Sequence, residues 1–476
     1  MSSPVPPSPE PIETFDVVVI GSGPAGHKAT IQAAKAGKRV LLVERETNVG
    51  GACVHRGTIP SKTLRETALA FTAFRRKTGE VFPITVREDL EVASLMTRME
   101  EVVKAHERFM TEQLRRNGAT KLHGRARFLD DRTIAIEQVR GNVRRARGEV
   151  IIIATGSQPR APADVPIDHD KILDSDSILS MTWLPRSLTV LGAGVIASEY
   201  ASIFAALGVK VTLIEGKREI LGFLDDEITR LLRERMQRLG VTFRFEDAVE
   251  RVIDEPGPGV GVVTRKGAKF RAGKLLVAAG RTGNVAGLGL ETIGVRVDDK
   301  QRIVVDERFR TSVPNVLAAG DVLGFPGLAS TGIEQGRLAV RCLFGACERA
   351  ELARVLPYGL YTIPEVGTIG VTEEEARERA LDFRVGRAWY RENARGQIVG
   401  DVFGLLKLVV DAKTRALLGV HIVGEKATEL VHLGQAVMEL GGTVDHLGRM
   451  VMNFPTLSVL YKRAALNASE AIDRRP

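Results

Sequence analysis

The strongest constraint on this chain is a pattern that occurs twice. Val17-Val-Val-Ile-Gly21-Ser-Gly23-Pro-Ala-Gly26 aligns without gaps on Leu188-Thr-Val-Leu-Gly192-Ala-Gly194-Val-Ile-Ala197, at an offset of 171 residues. In each copy an apolar run meets a Gly-rich turn and an amphipathic helical stretch follows. A second apolar run (Arg39 to Val43, Lys210 to Ile214) then ends in an acid, Glu44 or Glu215, 23 residues after the first Gly. The first Gly permits a tight turn, and the second lets backbone N–H groups approach a pyrophosphate. The third, Gly26 or its counterpart Ala197, lets the helix close on the strand. The helix N-terminus offers partial positive charge to phosphates, and the acid accepts hydrogen bonds from ribose hydroxyls. Two matched copies predict two dinucleotide sites.

Each fingerprint has a later apolar strand ending in small residues, Val150 to Gly156 and Leu275 to Gly280. The 476 residues suffice for about three domains. The breakers between strands place a first unit at 15–159, resuming at 282–354, with a second unit at 160–281 nested inside it. Residues 355–476 form a third, with alternating β-type runs and a helical segment from Thr428 to Leu440. It carries no nucleotide motif and reads as an assembly unit. The expected fold is α/β: two nested Rossmann-like domains plus an α+β C-terminal domain. The Pro- and Ser-rich stretch 1–14 reads as a disordered tail, without the apolar segment of a signal peptide.

A net charge of +8 raises the question of a nucleic-acid partner, but the basic residues are interleaved with Glu and no recognition motif accompanies them. No apolar run is long enough to span a bilayer, so membrane insertion is not expected. Three Cys are too few for a disulfide framework and fit a reducing, cytoplasmic setting.

Several further motifs extend the pattern: Gly50-Gly-Ala-Cys53, Gly57-Thr-Ile-Pro-Ser-Lys62, Ala154-Thr-Gly156, Gly192 to Glu199, Gly280-Arg281 and Ala319-Gly-Asp321. Pro364-Glu365, Val371-Thr-Glu373 and Phe454-Pro-Thr456 continue it. With these the chain resembles the pyridine nucleotide-disulfide oxidoreductases from residue 15 to 468. The resemblance implies FAD at the first site, with Gly21, Gly23, Gly26, Glu44, Gly51, Cys53, Ala126, Thr155, Gly156, Asp321 and Ala329 around it. It implies a nicotinamide cofactor at the second, with Gly192, Gly194, Glu215, Lys217, Arg218, Val249 and Gly280. Lys62 and Glu199 match the family's flavin-side ion pair. The C-terminal domain is implied to pair two copies into a homodimer.

The departures from that family are chemical. Disulfide reductases carry two Cys five residues apart; here Cys53 is followed by Thr58, and a hydroxyl cannot form the electron-accepting disulfide. The family's C-terminal His and Glu fall at Phe454 and Val459, neither of which can transfer a proton. What remains is a flavin site without a thiol relay, beside a nicotinamide site. Within the family this resembles the soluble, Si-specific transhydrogenases, implying ping-pong hydride transfer from NADPH to FAD and on to NAD, with catalytic residues Lys62, Glu199 and Thr58. An NAD(P)H-dependent quinone or dye reductase is the alternative, and a quinone is then the acceptor.

At the second site, Glu215 suits a free ribose 2′-OH, whereas Lys217 and Arg218 attract a 2′-phosphate. The mixture reads as dual use of NAD and NADP. Cys342 and Cys347 repeat the five-residue spacing, but on a continuous helix from Gln335 to Glu348 they would lie about 140° apart, which argues against a bridge.

Overall fold

Every residue from Val17 to Ile20 is buried, with no alternation between faces. Such a run belongs inside a parallel sheet covered on both sides, and the computed structural model places it there. The structure describes residues 12–78, 92–181, 183–253, 257, 259–324, 326–345 and 355–474. Strand Glu13–Ile20 pairs in parallel with Val40–Glu44 on one side and with Val143–Ile153 on the other. Thr120–His123 extends the sheet at one edge. Val316–Ala318 returns from far along the chain to pair with Ile151–Ile153, while the first half of Val143–Ile153 carries the antiparallel strand Thr133–Glu137.

The first strand starts inside the stretch expected to be a tail. Glu13 and Thr14 pair with Ala146 and Arg147, because the long partner strand extends far enough to recruit them. Residues 1–11 lie outside the described residues.

The second copy of the pattern makes a five-stranded parallel sheet. Its order is Val241–Arg244, Lys210–Ile214, Ser187–Leu191, Lys274–Val277 and Ile172–Asp174, with an antiparallel meander of Val249–Ile253, Val260–Thr264 and Lys269–Ala272 beside it. Chain crossings between the two nucleotide-type units lie side by side: Ser157–Pro159 leaves and Arg281–Gly283 returns, hydrogen-bonded antiparallel. A five-stranded antiparallel sheet follows, ordered Tyr358–Leu360, Val366–Gly370, Leu417–Val423, Leu405–Asp411 and Phe383–Trp389. Helices Ala427–Glu439 and Val459–Asp473 pack on it around the fully buried Tyr390 and Tyr461.

This last unit is joined to the second by buried charge. Lys407 Nζ, on a central strand of the antiparallel sheet, lies 2.7 Å from Asp225 Oδ2 and 2.6 Å from Glu373 Oε2, and Lys407 and Asp225 are essentially inaccessible. Asp225 also caps helix Asp226–Arg238 by accepting the Glu227 and Ile228 N–H groups. One carboxylate therefore ends a helix in one unit and neutralises a lysine in the next.

The expected separation of Cys342 from a bridge does not hold. The helix Ala329–Leu343 stops short of Glu348, capped by Phe344 with Gly345 following at φ +77°, so the angular argument has no continuous helix to rest on. Cys342 is disulfide-bonded, whereas Cys53 is free. Cys347 lies outside the described residues.

Candidate active site

Both fingerprint turns fold alike, down to single hydrogen bonds. Gly21 N–H donates to the Val43 carbonyl at 2.8 Å and Gly192 N–H to the Ile214 carbonyl at 2.9 Å. Ser22 N–H donates to Glu44 Oε2 at 2.8 Å, and Ala193 N–H to Glu215 Oε2 at 2.8 Å. The other carboxylate oxygen accepts the N–H two residues on, from Glu46 at 2.9 Å and Lys217 at 3.0 Å. Each acid is thus held at the end of its strand, over the turn. The left-handed backbone at Gly21 (φ +99°) and Gly192 (φ +102°) excludes a side chain. A Cβ at Gly26 would come within 1.9 Å of the Gly21 carbonyl oxygen. Its counterpart Ala197 is fully buried in the second unit's core.

Helix Pro24–Lys35 begins with Pro after an N-cap Gly23 that offers no side-chain oxygen, and its first turn has no acid. Helix Val195–Ala206 starts the same way at Gly194. Both leave N-terminal N–H groups available to an anion.

A cavity of about 1250 Å³ opens against the first turn. Gly21, Gly23, Glu44, Gly51, Cys53, Thr58, Lys62, Ala126, Thr155, Gly156, Asp321 and Ala329 all line it, as does Glu199 from the second unit. Gly26 sits behind the wall, where it sets the helix against the turn. Gly192, Gly194, Glu215, Lys217, Arg218, Val249 and Gly280 do not line this cavity. The first five lie on the second turn and the end of its following strand. Val249 opens the meander, and Gly280 precedes the returning crossover strand at φ +104°.

The cavity is where the three units meet. Lys62 Nζ donates to Glu199 Oε2 at 2.6 Å, and the Tyr361 N–H of the C-terminal unit donates to Glu199 Oε1 at 2.9 Å. The Lys62 ammonium also stands 5.0 Å from the centroid of the Tyr361 ring. Glu199 is buried, and Lys62 keeps partial access to the cavity. Behind them Arg65 donates to the Thr362 carbonyl at 3.0 Å and pairs with the buried Glu365 at 3.1 Å.

Cys53 and Thr58 are neighbours. Burial pushes the Cys53 thiol up from its ordinary range, opposed by a hydrogen bond with the Thr58 side chain. Burial also pushes the Asp321 carboxyl up, against the Arg281 charge and a hydrogen bond from Ser157 Oγ at 3.2 Å. Arg281 organises this end of the site. It donates to Ser157 Oγ and the Ser157 carbonyl, both at 2.8 Å, and to Ser175 Oγ at 3.2 Å. Its only sequence signal is its place after Gly280. Tyr361 opens the motif-like stretch Tyr361-Thr-Ile-Pro-Glu365, but its contribution to Glu199 is a backbone N–H, which no side-chain pattern announces.

The cavity fits a flavin dinucleotide on two observations. Thr155 Oγ1, on its wall, is buried without a hydrogen-bond partner, and Gly21 and Gly51 hold positive-φ turns where side chains would strike neighbouring backbone. In the C-terminal unit Phe454 is 76% exposed, Val451 94% and Leu440 87%. Among the described residues no helix is long and apolar enough to cross a membrane.

Comparison with known proteins agrees with this architecture. Residues 15–336 match the family model for pyridine nucleotide-disulphide oxidoreductases, and residues 356–465 match that family's dimerisation domain. A soluble pyridine nucleotide transhydrogenase of Mycobacterium bovis is 45% identical over 454 residues, covering 95% of this chain and 97% of that protein. Another, from Colwellia psychrerythraea, is 39% identical, covering 95% and 97%. Among solved structures, the HOCl-induced flavoprotein disulfide reductase RclA from Escherichia coli superposes with a TM-score of 0.86 at 28% identity, covering 95% of this chain and 99% of that one. LpdA from Mycobacterium tuberculosis gives 0.88 at 26%, covering 96% and 99%. With both its nucleotide-type units and its C-terminal unit matched, this chain is an oxidoreductase belonging to the pyridine nucleotide-disulphide oxidoreductase family.

Proposed function

We propose that this chain is a flavin-dependent transhydrogenase that moves hydride between NADPH and NAD. The observation that carries the reading is the contrast within one cavity. The Lys62–Glu199 pair is intact, while Thr58 stands beside Cys53 where a second thiol would be needed for a disulfide. The near full-length relatives named soluble pyridine nucleotide transhydrogenase support it.

FAD is the group that fits the first site, and when bound it supplies two-electron carrier chemistry. The chain's own residues do the rest. Gly23 and the N-terminus of helix Pro24–Lys35 would hold the pyrophosphate, and Glu44, now bonded to Ser22, would take the adenosine ribose. Gly51, Ala126, Thr155, Gly156 and Ala329 would supply close-packed walls, and Asp321, kept in place by Ser157, would face the ribityl chain. Lys62, which lines the cavity, would place a positive charge beside the flavin ring. In a water-poor site such a fixed charge favours the reduced state strongly, and Glu199 keeps it from being displaced.

No residue needs to give or take a proton, so Phe454 and Val459 are compatible with turnover. The second turn, with Gly192, Gly194 and Glu215, takes the nicotinamide dinucleotide, with Lys217, Arg218, Val249 and Gly280 near it. Residues 15–159 with 282–354 form the flavin unit, 160–281 the nicotinamide unit and 355–476 the pairing unit. Two copies pair through the last of these and cover Phe454.

The test is to purify the protein, check for bound flavin by its visible spectrum, and mix it with NADPH and thio-NAD. Parallel initial-rate lines with thio-NADH formation support the reading. Rapid quinone reduction without thio-NADH formation replaces it with a quinone reductase of the same family.

A further inference from the structure

The internal repeat allows the two sites to be compared position by position, and they differ just past the acid. After Glu44 the first copy reads Arg45-Glu46-Thr47, and after Glu215 the second reads Gly216-Lys217-Arg218. Where the first copy has an acidic side chain, Glu46, the second has a lysine followed by an arginine, although the backbone bonds to the two acids are the same. Gly216, Lys217 and Arg218 are all exposed, so the two cations stand at an open edge of the second site.

Arg218 does not stand alone. Its Nε donates to Glu246 Oε1 at 2.8 Å, with the arginine side chain 90% exposed and the glutamate 53% exposed. Glu246 is held in a left-handed backbone conformation, φ +54°, by a bond from its own N–H to the Lys217 carbonyl at 3.0 Å. The next residue, Asp247, donates its N–H to the Glu215 carbonyl at 3.2 Å. The loop carrying Glu246 is therefore fastened to the backbone of the very segment that carries Glu215, Lys217 and Arg218. A non-glycine residue kept in that conformation by its surroundings places its carboxylate beside one chosen guanidinium.

We propose that Glu246 is a specificity-determining residue of the second site, acting as a competitor that a ribose 2′-phosphate must displace from Arg218. The proposal rests on the reading of that site as one for nicotinamide dinucleotides. For a ligand with a free 2′-OH, Glu215 accepts the hydroxyl and the Arg218–Glu246 pair stays closed. For a ligand with a 2′-phosphate, the guanidinium turns from Glu246 to the phosphate, a geometry it recognises with two parallel N–H bonds. An exposed ion pair is weak and salt-screened, so it yields to a phosphate readily. Its negative partner remains nearby, however, and opposes the incoming phosphate. Glu246 thereby lowers affinity for the phosphorylated ligand while leaving the other untouched, which keeps the two affinities close enough for one site to exchange both.

The test measures binding of 5′-ADP and 2′,5′-ADP to the flavin-loaded protein by calorimetry at low ionic strength, for wild type, Glu246→Gln, Glu246→Asp and Arg218→Ala. Glu246→Gln is expected to tighten 2′,5′-ADP about three- to fivefold while 5′-ADP stays within about twofold. Glu246→Asp should return the ratio toward wild type, and the gain should vanish with Arg218→Ala in the background and at high salt. Equal affinity of wild type and Glu246→Gln for 2′,5′-ADP, with 5′-ADP still bound, overturns the proposal alone. Failure of the wild-type protein to bind either ligand overturns the reading of the site and the proposal with it. A general loosening of the loop would weaken both ligands together, which also counts against it.

Discussion

The carboxylate of Glu199 is shared between two units of the chain: one oxygen holds the Lys62 ammonium at 2.6 Å and the other accepts the Tyr361 N–H at 2.9 Å. Charge and docking are therefore separable by substitution. Glu199→Gln keeps a carbonyl oxygen for Tyr361 but removes the negative charge from Lys62, whose side chain is 24% exposed. Stopped-flow reduction by NADPH should slow about ten- to a hundredfold, the loss typical of weakening one electrostatic contact in an active site. Thermal stability should fall by no more than about 1–2 kcal/mol, because Lys62 can still be solvated from the cavity. Unchanged reduction in a folded variant removes Lys62 and Glu199 from the mechanism.

Thr58 next to Cys53 makes a second separation possible. Thr58→Cys puts two thiols where a hydrogen bond already joins the side chains, and mild oxidation should then remove two titratable thiols relative to the reduced variant. Dithiol reductase turnover should not appear, either in this variant or in Phe454→His alone. The first lacks a proton donor for the leaving thiol and the second lacks the relay. Activity from Phe454→His alone would show that electrons leave the flavin by a route that bypasses Thr58.

Much of this site was legible because the chemistry is local. The Gly spacing, the acid 23 residues on and the Lys62 motif each depend on one short segment, and the repeat supplied an internal control. Arg281 was not legible in the same way. Its partners Ser157, Ser175 and Asp176 lie more than a hundred positions earlier, and they meet it only because the two crossover strands pair. The Lys407 cluster is similar: a lysine in an apolar strand pattern looks like an interruption until Asp225 and Glu373 arrive from elsewhere. The helix carrying Cys342 stops at Leu343 because Gly345 takes the left-handed region, a stop that apolar periodicity through Phe344 does not announce.

The two third-glycine positions give a matched pair of substitutions. A Cβ at Gly26 would overlap the Gly21 carbonyl oxygen at 1.9 Å and press on Ala154 Cβ at 3.1 Å. Gly26→Ala must therefore move the helix off the turn, at a cost of about 1–3 kcal/mol and with loss of flavin on desalting. Ala197→Gly adds backbone freedom inside a helix and removes one buried methyl, about 1–2 kcal/mol together, and should leave flavin content unchanged. Absorbance ratios after gel filtration and melting curves read both. Equal flavin retention by the two variants would mean that the first turn does not set the flavin's place.

His27, one turn into the first fingerprint helix, should give the protein part of its acid sensitivity. Burial lowers its imidazole to about 4, against the pull of the bond between Nε2 and the Met110 carbonyl at 3.2 Å, and the Lys28 and His106 charges push it further down. The folded ring is therefore neutral with Nε2 as donor, while the unfolded ring takes up a proton near its ordinary value of 6.5. Between those two values the unfolded chain binds more protons than the folded one. The stabilisation is complete above the unfolded value and is lost as pH falls toward the folded one, amounting to about 2 kcal/mol between pH 7.5 and 5. His27→Gln retains a donor for Met110 without a titrating ring. Urea unfolding at the two pH values should show the wild type losing more stability than the variant by about that amount, and equal losses would mean that His27 does not carry this part of the acid response.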